Sequence, residues 1–172
     1  MSRGRRRKEI GASSQFLLSL AYLGPAPMHF TPSHFGLCVR DLDRTLRFYC
    51  DGLGFALAER FEIGDEFGAA LEVEGRVDCV SQFIRKDALA IELLAYRSPD
   101  AIGAPSTRRN QLGFTHFSLY VDDVVAAAQQ LIACGGKLLP ATHAENDVVE
   151  LMFVEDPDGV RVELMRNKPA AA

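Results

Sequence analysis

Three features that would place the chain in a membrane, a secreted disulfide-rich or a nucleic-acid-binding class are missing. No apolar run approaches the ~20 residues that a membrane-spanning helix needs. The four cysteines, Cys38, Cys50, Cys79 and Cys134, form no CxxC and keep no regular spacing. That argues against a zinc knuckle or a disulfide framework and makes a reducing cytoplasm the expected compartment. A basic body is missing too. Residues 1–28 hold Arg3, Arg5, Arg6, Arg7 and Lys8 against Glu9, so the formal charge of −4 leaves −8 on the other 144 residues. A nucleic-acid partner needs a basic face to meet phosphates, so none is expected.

What is present is an ordinary globular composition, 48% hydrophobic over 172 residues, enough for one domain or two small ones packed together. Residues 1–28 read as an extension. Their basic start followed by Phe16–Leu23 has the outline of an export signal, but Glu9 and Gly11–Gln15 interrupt it. A short docked helix and a translation start at Met28 are the other readings. With no disulfide framework behind an export signal, a non-essential extension is the expectation.

Residues 29–98 then read as a first β-α-β-β-β module. Phe30–Arg40 is strand-like, and Asp41 or Asp43 caps a helix over Arg44–Cys50 with Leu46, Tyr49 and Leu53 at helical spacing. Strand-like stretches follow at Phe55–Ile63, Phe67–Glu74, Val77–Arg85 and Ala88–Tyr96. Residues 99–112, broken by Pro and Gly, form a linker or lid. Residues 113–168 repeat the plan: a strand over Phe114–Val121, a helix over Val124–Cys134 capped by Asp122-Asp123, and strands at Lys137–Ala141, Val148–Val154 and Val160–Met165. The expected fold class is α+β, two tandem βαβββ modules forming a curved mixed-sheet cup.

The repeat is explicit. A shift of 82 lays His116 on His34, Phe117 on Phe35 and Asp123 on Asp41, and a shift of 71 lays Val162-Glu163-Leu164 on Ile91-Glu92-Leu93. Each module thus begins with a strand bearing a His and ends with one bearing a Glu. An ionised carboxylate inside an apolar run is costly to bury alone, so a shared partner is expected. Alternation along a strand puts His34, Gly36 and Cys38 on one face, and His116, Ser118 and Tyr120 on another. Two imidazoles and two carboxylates, His34, Glu92, His116 and Glu163, suit one octahedral divalent ion better than a Cys-rich structural zinc. A polar cup held by ion pairs without metal is the alternative.

The pattern His-x-Gly-Leu-x-Val-x-Asp-Leu-x5-Phe-Tyr-x3-Leu-Gly-Phe, His34 to Phe55, and Phe153–Leu164 with its Glu-Asp-Pro-Asp-Gly turn resemble the vicinal oxygen chelate superfamily over about residues 29–167. This superfamily holds glyoxalase I, methylmalonyl-CoA epimerase, extradiol dioxygenases and bleomycin- and fosfomycin-resistance proteins. The resemblance implies that His34, Glu92, His116 and Glu163 hold one divalent ion (Ni, Co, Zn, Fe or Mn). It also implies a lyase or isomerase that removes a proton next to a carbonyl, with the metal stabilising the enediolate and Glu163 or Glu92 as catalytic base. The implied partners are a small-molecule substrate with adjacent oxygens and a second copy of the chain. Cys38, Tyr96, Ser118 and Tyr120 are the implied substrate-binding residues, and His143 borders the cup at most. Cys38 stands where glyoxalase I has an Arg and Tyr96 where it has an Asn, which speaks against glutathione. On the third strand only Asp78 and Gln82 offer themselves as the extra base of the epimerases. Glu92 speaks against an iron dioxygenase, and the intact quartet against a non-catalytic binding or sequestering module; both stay as alternatives.

Overall fold

The structure is a computed structural model that describes residues 28–169. The expectation for residues 1–27 lies outside the described residues. The chain divides into two units, Met1–Pro32 and Ser33–Ala172. All strands and helices of the described residues belong to the second. Among the described residues no helix is long and apolar enough to cross a membrane.

The first module comprises β1 (Phe35–Val39), α1 (Leu42–Leu46) continued by a π-helical segment (Arg47–Gly52), β2 (Ala56–Ile63), α2 (Gly68–Leu71), β3 (Asp78–Lys86) and β4 (Leu89–Ser98). The second comprises β5 (Phe117–Tyr120), α3 (Val124–Ala133), β6 (Lys137–Glu145), β7 (Val149–Glu155) and β8 (Arg161–Asn167). The sheets run β1-β4-β3-β2 and β5-β8-β7-β6, with β1/β4 and β5/β8 parallel and the other pairs antiparallel. The expected pair of four-stranded mixed sheets is what forms.

Asp41 and Asp123 open the two helices in the same way. Each sits in extended backbone and accepts a hydrogen bond at 2.9 Å from the amide three residues on, Arg44 and Ala126, which satisfies one otherwise orphaned donor. On α3 the buried side chains are Val124, Ala128 and Leu131, the stripe expected from helical spacing. One core spans both modules: Leu37, Val39, Phe48, Tyr49, Ile84, Ile91 and Leu93 from the first meet Val124, Leu131, Val154, Val162 and Leu164 from the second. The seam also carries polar ties. Tyr49 donates to Asp156 Oδ2 at 3.0 Å and Arg44 Nη2 meets Asp158 Oδ1 at 2.9 Å. Gln130 Nε2 donates to Gly52 O at 2.6 Å. Burial, above all, and then Asp156 push the Tyr49 hydroxyl well above its usual pKa, so it stays a donor.

Several expectations are corrected. Phe67–Glu74 is not a strand: a 3-10 turn over Asp65–Phe67 leads into α2, which stops at Glu72 with φ of +55°. Gly68-Ala69-Ala70-Leu71 holds two alanines, the best helix formers, and Asp65 Oδ1 accepts from Val77 N at 2.6 Å and ties the excursion shut. β1 and β5 are shorter than the apolar runs implied, so His34 and His116 each stand one residue before a strand. β6 runs on to Glu145 across an irregularity between Leu139 and Ala144. Phe48, outside the Leu46/Tyr49/Leu53 stripe, is as buried as Tyr49, at 0% exposure.

Candidate metal centre

The parallel register lays Gly36 beside Glu92, so the face opposite Leu37 and Ile91 carries His34, Gly36, Cys38 and Glu92. There His34 Nε2 lies 3.2 Å from Glu92 Oε2. The second module repeats this, with His116 Nε2 at 3.6 Å from Glu163 Oε2 and Ser118 in register with Glu163. The carboxylates are sheltered, 19% and 12% exposed, while the imidazoles at 34% and 36% open towards solvent.

Two supports recur that the sequence reading missed. The hydroxyl of the residue before each His, Ser33 or Thr115, is 3.0 Å from its Nδ1. A ring that donates from Nδ1 to this oxygen presents the Nε2 lone pair to the carboxylate side, the orientation that a metal-binding His takes from its outer partner. An aromatic ring also stands edge-on to each imidazole, Phe83 at 5.0 Å from His34 and Phe153 at 5.2 Å from His116. Phe83 is directly across from Glu92 and Phe153 across from Glu163. The signal was available: hydroxyl-His occurs twice at the shift of 82, and Phe83 and Phe153 precede their Glu by nine and ten residues.

The halves also differ. Ser81 donates to Glu92 Oε1 at 2.5 Å, whereas among the described residues no hydroxyl holds Glu163. Each pair therefore supplies two donors of the kind a divalent cation takes, an imidazole nitrogen beside a sheltered carboxylate, with Gly36 leaving space next to Glu92. The structure does not gather the four into one cluster. Among the described residues no group of three or more His, Cys, Asp and Glu stands close enough to hold an ion. It brings His34 to Glu92 and His116 to Glu163, as two separate pairs.

Cys38 and Tyr96 line one hollow of about 380 Å³ with Val73, Pro99 and Ile102. Burial, chiefly, raises both of their pKa values, so neither supplies an anion to the site. Ser118 is exposed beside Glu163, and Tyr120, 72% exposed, lines a separate cleft with Lys86 and Gln130. Gln82 is turned to the core face, where its amide donates to the backbone of Ala58 and Glu59, and Asp78 is paired with Arg97 at 2.6 Å. His143 is exposed, and its Nε2 meets Glu150 at 3.1 Å on the opposite side of β7 from Phe153.

A further cleft of about 340 Å³ opens at His116, walled by Thr115, Thr142, Phe153, Arg109 and Arg161. Arg161 precedes Glu163 by two residues and so shares its face. Burial first, then the charge of Arg109, pulls its pKa below the usual arginine value, with Glu155 opposing. Arg40 ties the first half of the linker to β1, donating to the carbonyls of Ala101 and Gly103, and the second half carries Arg109 to this cleft.

Two β-α-β-β-β modules that share a core and carry matched His–Glu pairs define the class of the vicinal oxygen chelate proteins. The comparison with known families agrees: residues 31–164 match the model of the Glyoxalase/Bleomycin resistance protein/Dioxygenase superfamily, and the chain belongs to it. It is similar to the lactoylglutathione lyase of Haemophilus influenzae, 32% identical over 136 residues covering 78% of this chain and 91% of that protein. A probable chloroplastic lactoylglutathione lyase of Arabidopsis thaliana is 35% identical over 136 residues, 76% of this chain, which spans about a third of that relative's length (34%). Among solved structures, a glyoxalase family protein from Bacillus cereus shares the fold with a TM-score of 0.73 at 17% identity, covering 85% of this chain and 99% of that one.

Proposed function

We propose that the protein is a metal-dependent lyase or isomerase that moves a proton on a carbon next to a carbonyl of a small molecule with adjacent oxygens. The observation that carries this reading is the duplicated pair, His34–Glu92 and His116–Glu163, each imidazole backed by a hydroxyl at 3.0 Å. Since the two pairs stand apart in one chain, the reading includes a homodimer in which His34 and Glu92 of one subunit face His116 and Glu163 of the other. These four residues would hold one divalent ion, which would supply Lewis-acid polarisation of the substrate oxygens.

The protein's own groups divide the remaining work. Glu163, which no hydroxyl among the described residues restrains, takes the proton from carbon and returns it. Glu92, pinned by Ser81, keeps a fixed position. Phe83 and Phe153 wall the imidazoles and keep water from the reacting carbon. Cys38 and Tyr96, on the first module's hollow, take the less polar part of the substrate.

The test combines elemental analysis with proton exchange. Purified protein is expected to hold about one Ni, Co, Zn, Fe or Mn ion per site and to catalyse exchange of the α-proton of 2-oxoaldehyde adducts or acyl thioesters with solvent deuterium. Glu163→Gln stops the exchange. No metal and no uptake of any of these ions would sink this reading and leave a small-molecule binding module. A milder variant probes the support of Glu92: Ser81→Ala is expected to weaken metal binding by roughly 10- to 100-fold with the fold intact, as loss of an outer-shell partner does. Unchanged affinity in a metal titration would remove Ser81 from the site.

A further inference from the structure

We infer that the substrate carries an oxyanion, a carboxylate or a phosphate, apart from the oxygens next to the reacting carbon, and that Arg109 and Arg161 bind it beside His116. This inference rests on the reading above, in which the His116 cleft belongs to the reaction site.

Two guanidinium groups line one side of a cleft of about 340 Å³ in a chain whose body is acidic. The groups around them do not balance their charge. Arg161 is 14% exposed, and its one ion-pair partner among the described residues is Glu155 Oε1 at a long 3.5 Å. The other oxygen of Glu155 is held by Lys137 at 3.2 Å. Among the described residues Arg161 Nε is buried without a hydrogen-bond partner, so the pairing of this guanidinium is incomplete. Arg161 and Lys137 thus share the Glu155 carboxylate, and among the described residues Arg109 has no acidic partner. The planar guanidinium fork matches carboxylate and phosphate oxygens, and the Phe153 ring gives an apolar wall beside them.

The position fits a role in selecting the substrate. Arg161 stands two residues before Glu163 on the same strand face, so an anion bound there lies one strand step from the carboxylate that works on the carbon. The hollow on the first module, where Cys38 and Tyr96 lie, is lined by no cation. The second module supplies the positive charge instead.

The test uses phenyl phosphate and phenylacetate as probes in calorimetric titrations of the full chain after EDTA treatment, so that no metal can bind them. Saturable binding of one or both is expected, weakening as salt rises. The tighter probe tells phosphate from carboxylate. Arg109→Gln, at an exposed side chain, and Arg161→Gln are each expected to raise Kd by about tenfold or more, the scale of a lost charge-assisted contact, while Arg161→Lys loses less. Melting curves confirm that each variant is folded. No binding of either probe to the wild type, or equal Kd in wild type and both Gln variants, overturns the anion site. Metal uptake is measured on the same proteins: Arg109→Gln and Arg161→Gln keep it, and Glu163→Gln loses it while keeping the anion. A wild type that binds the probes through Arg109 and Arg161 yet takes up no metal would leave the anion site standing and overturn the lyase reading alone.

Discussion

Two inactive double variants, His34→Ala with Glu92→Ala and His116→Ala with Glu163→Ala, are expected to restore one another when unfolded and refolded together in equal amounts. Each alone lacks two of four ligands at every site and loses metal affinity by more than about a hundredfold, since even an outer-shell change costs 10- to 100-fold. If a site joins the first-module pair of one subunit to the second-module pair of its partner, the mixed dimer contains one site with all four ligands and one with none. Random pairing makes half of the dimers mixed, so metal content and proton exchange both return to about a quarter of wild type. The basis is geometric. His34 meets Glu92 at 3.2 Å and His116 meets Glu163 at 3.6 Å, yet no three such residues converge among those described. None of the four side chains lies in the shared core, so the substitutions spare the fold. A mixture that stays metal-free while the wild type binds metal would place all four ligands of a site in one chain.

Why the sequence showed the pairs and not their separation has a physical cause. A shift of 82 for the His strands and of 71 for the Glu strands marks equivalent positions in two copies of one motif, and equivalence within each copy is a local property. It follows from alternation along β1, β4, β5 and β8, whose parallel pairing then puts Gly36 beside Glu92 and Ser118 beside Glu163. The distance between copies is set by how the modules dock, through Phe48, Tyr49 and Leu131, and sequence periodicity does not report that. The same limit explains Gln82, polar in sequence and a candidate base, but turned inward because its amide satisfies the irregular backbone of β2. Phe67–Glu74 misled because apolar residues in a short run mark strand and helix alike, and here Ala69 and Ala70 decide for the helix. Arg161 was legible in principle, two residues before Glu163. Its significance came from Arg109, brought alongside by the linker that Arg40 anchors.

Phe48→Ala is expected to be the most damaging single change to the fold. Its ring is fully buried where the modules meet, edge-on to Tyr49 at 5.2 Å and above Gly136 of the second module. A Cβ on Gly136 would stand 2.6 Å from Phe48 Cε2, 2.9 Å from Leu131 O and 3.1 Å from Val154, so ring and glycine are fitted to one another. Removing the ring leaves a cavity in this seam, at a cost of about 3–5 kcal/mol. For a chain of this size that lowers Tm by roughly 6–20 °C. Gly136→Ala alone overpacks the seam and costs about 1–3 kcal/mol. The pair is the sharper measurement. With the ring gone, the new methyl enters the vacated space, so denaturant unfolding of the double variant should show a smaller loss than the two single losses added. Relief stays incomplete, since the Leu131 carbonyl is backbone and cannot move aside. Strictly additive losses would mean that Phe48 and Gly136 do not share the seam, and that the docking of the two modules depends on other contacts.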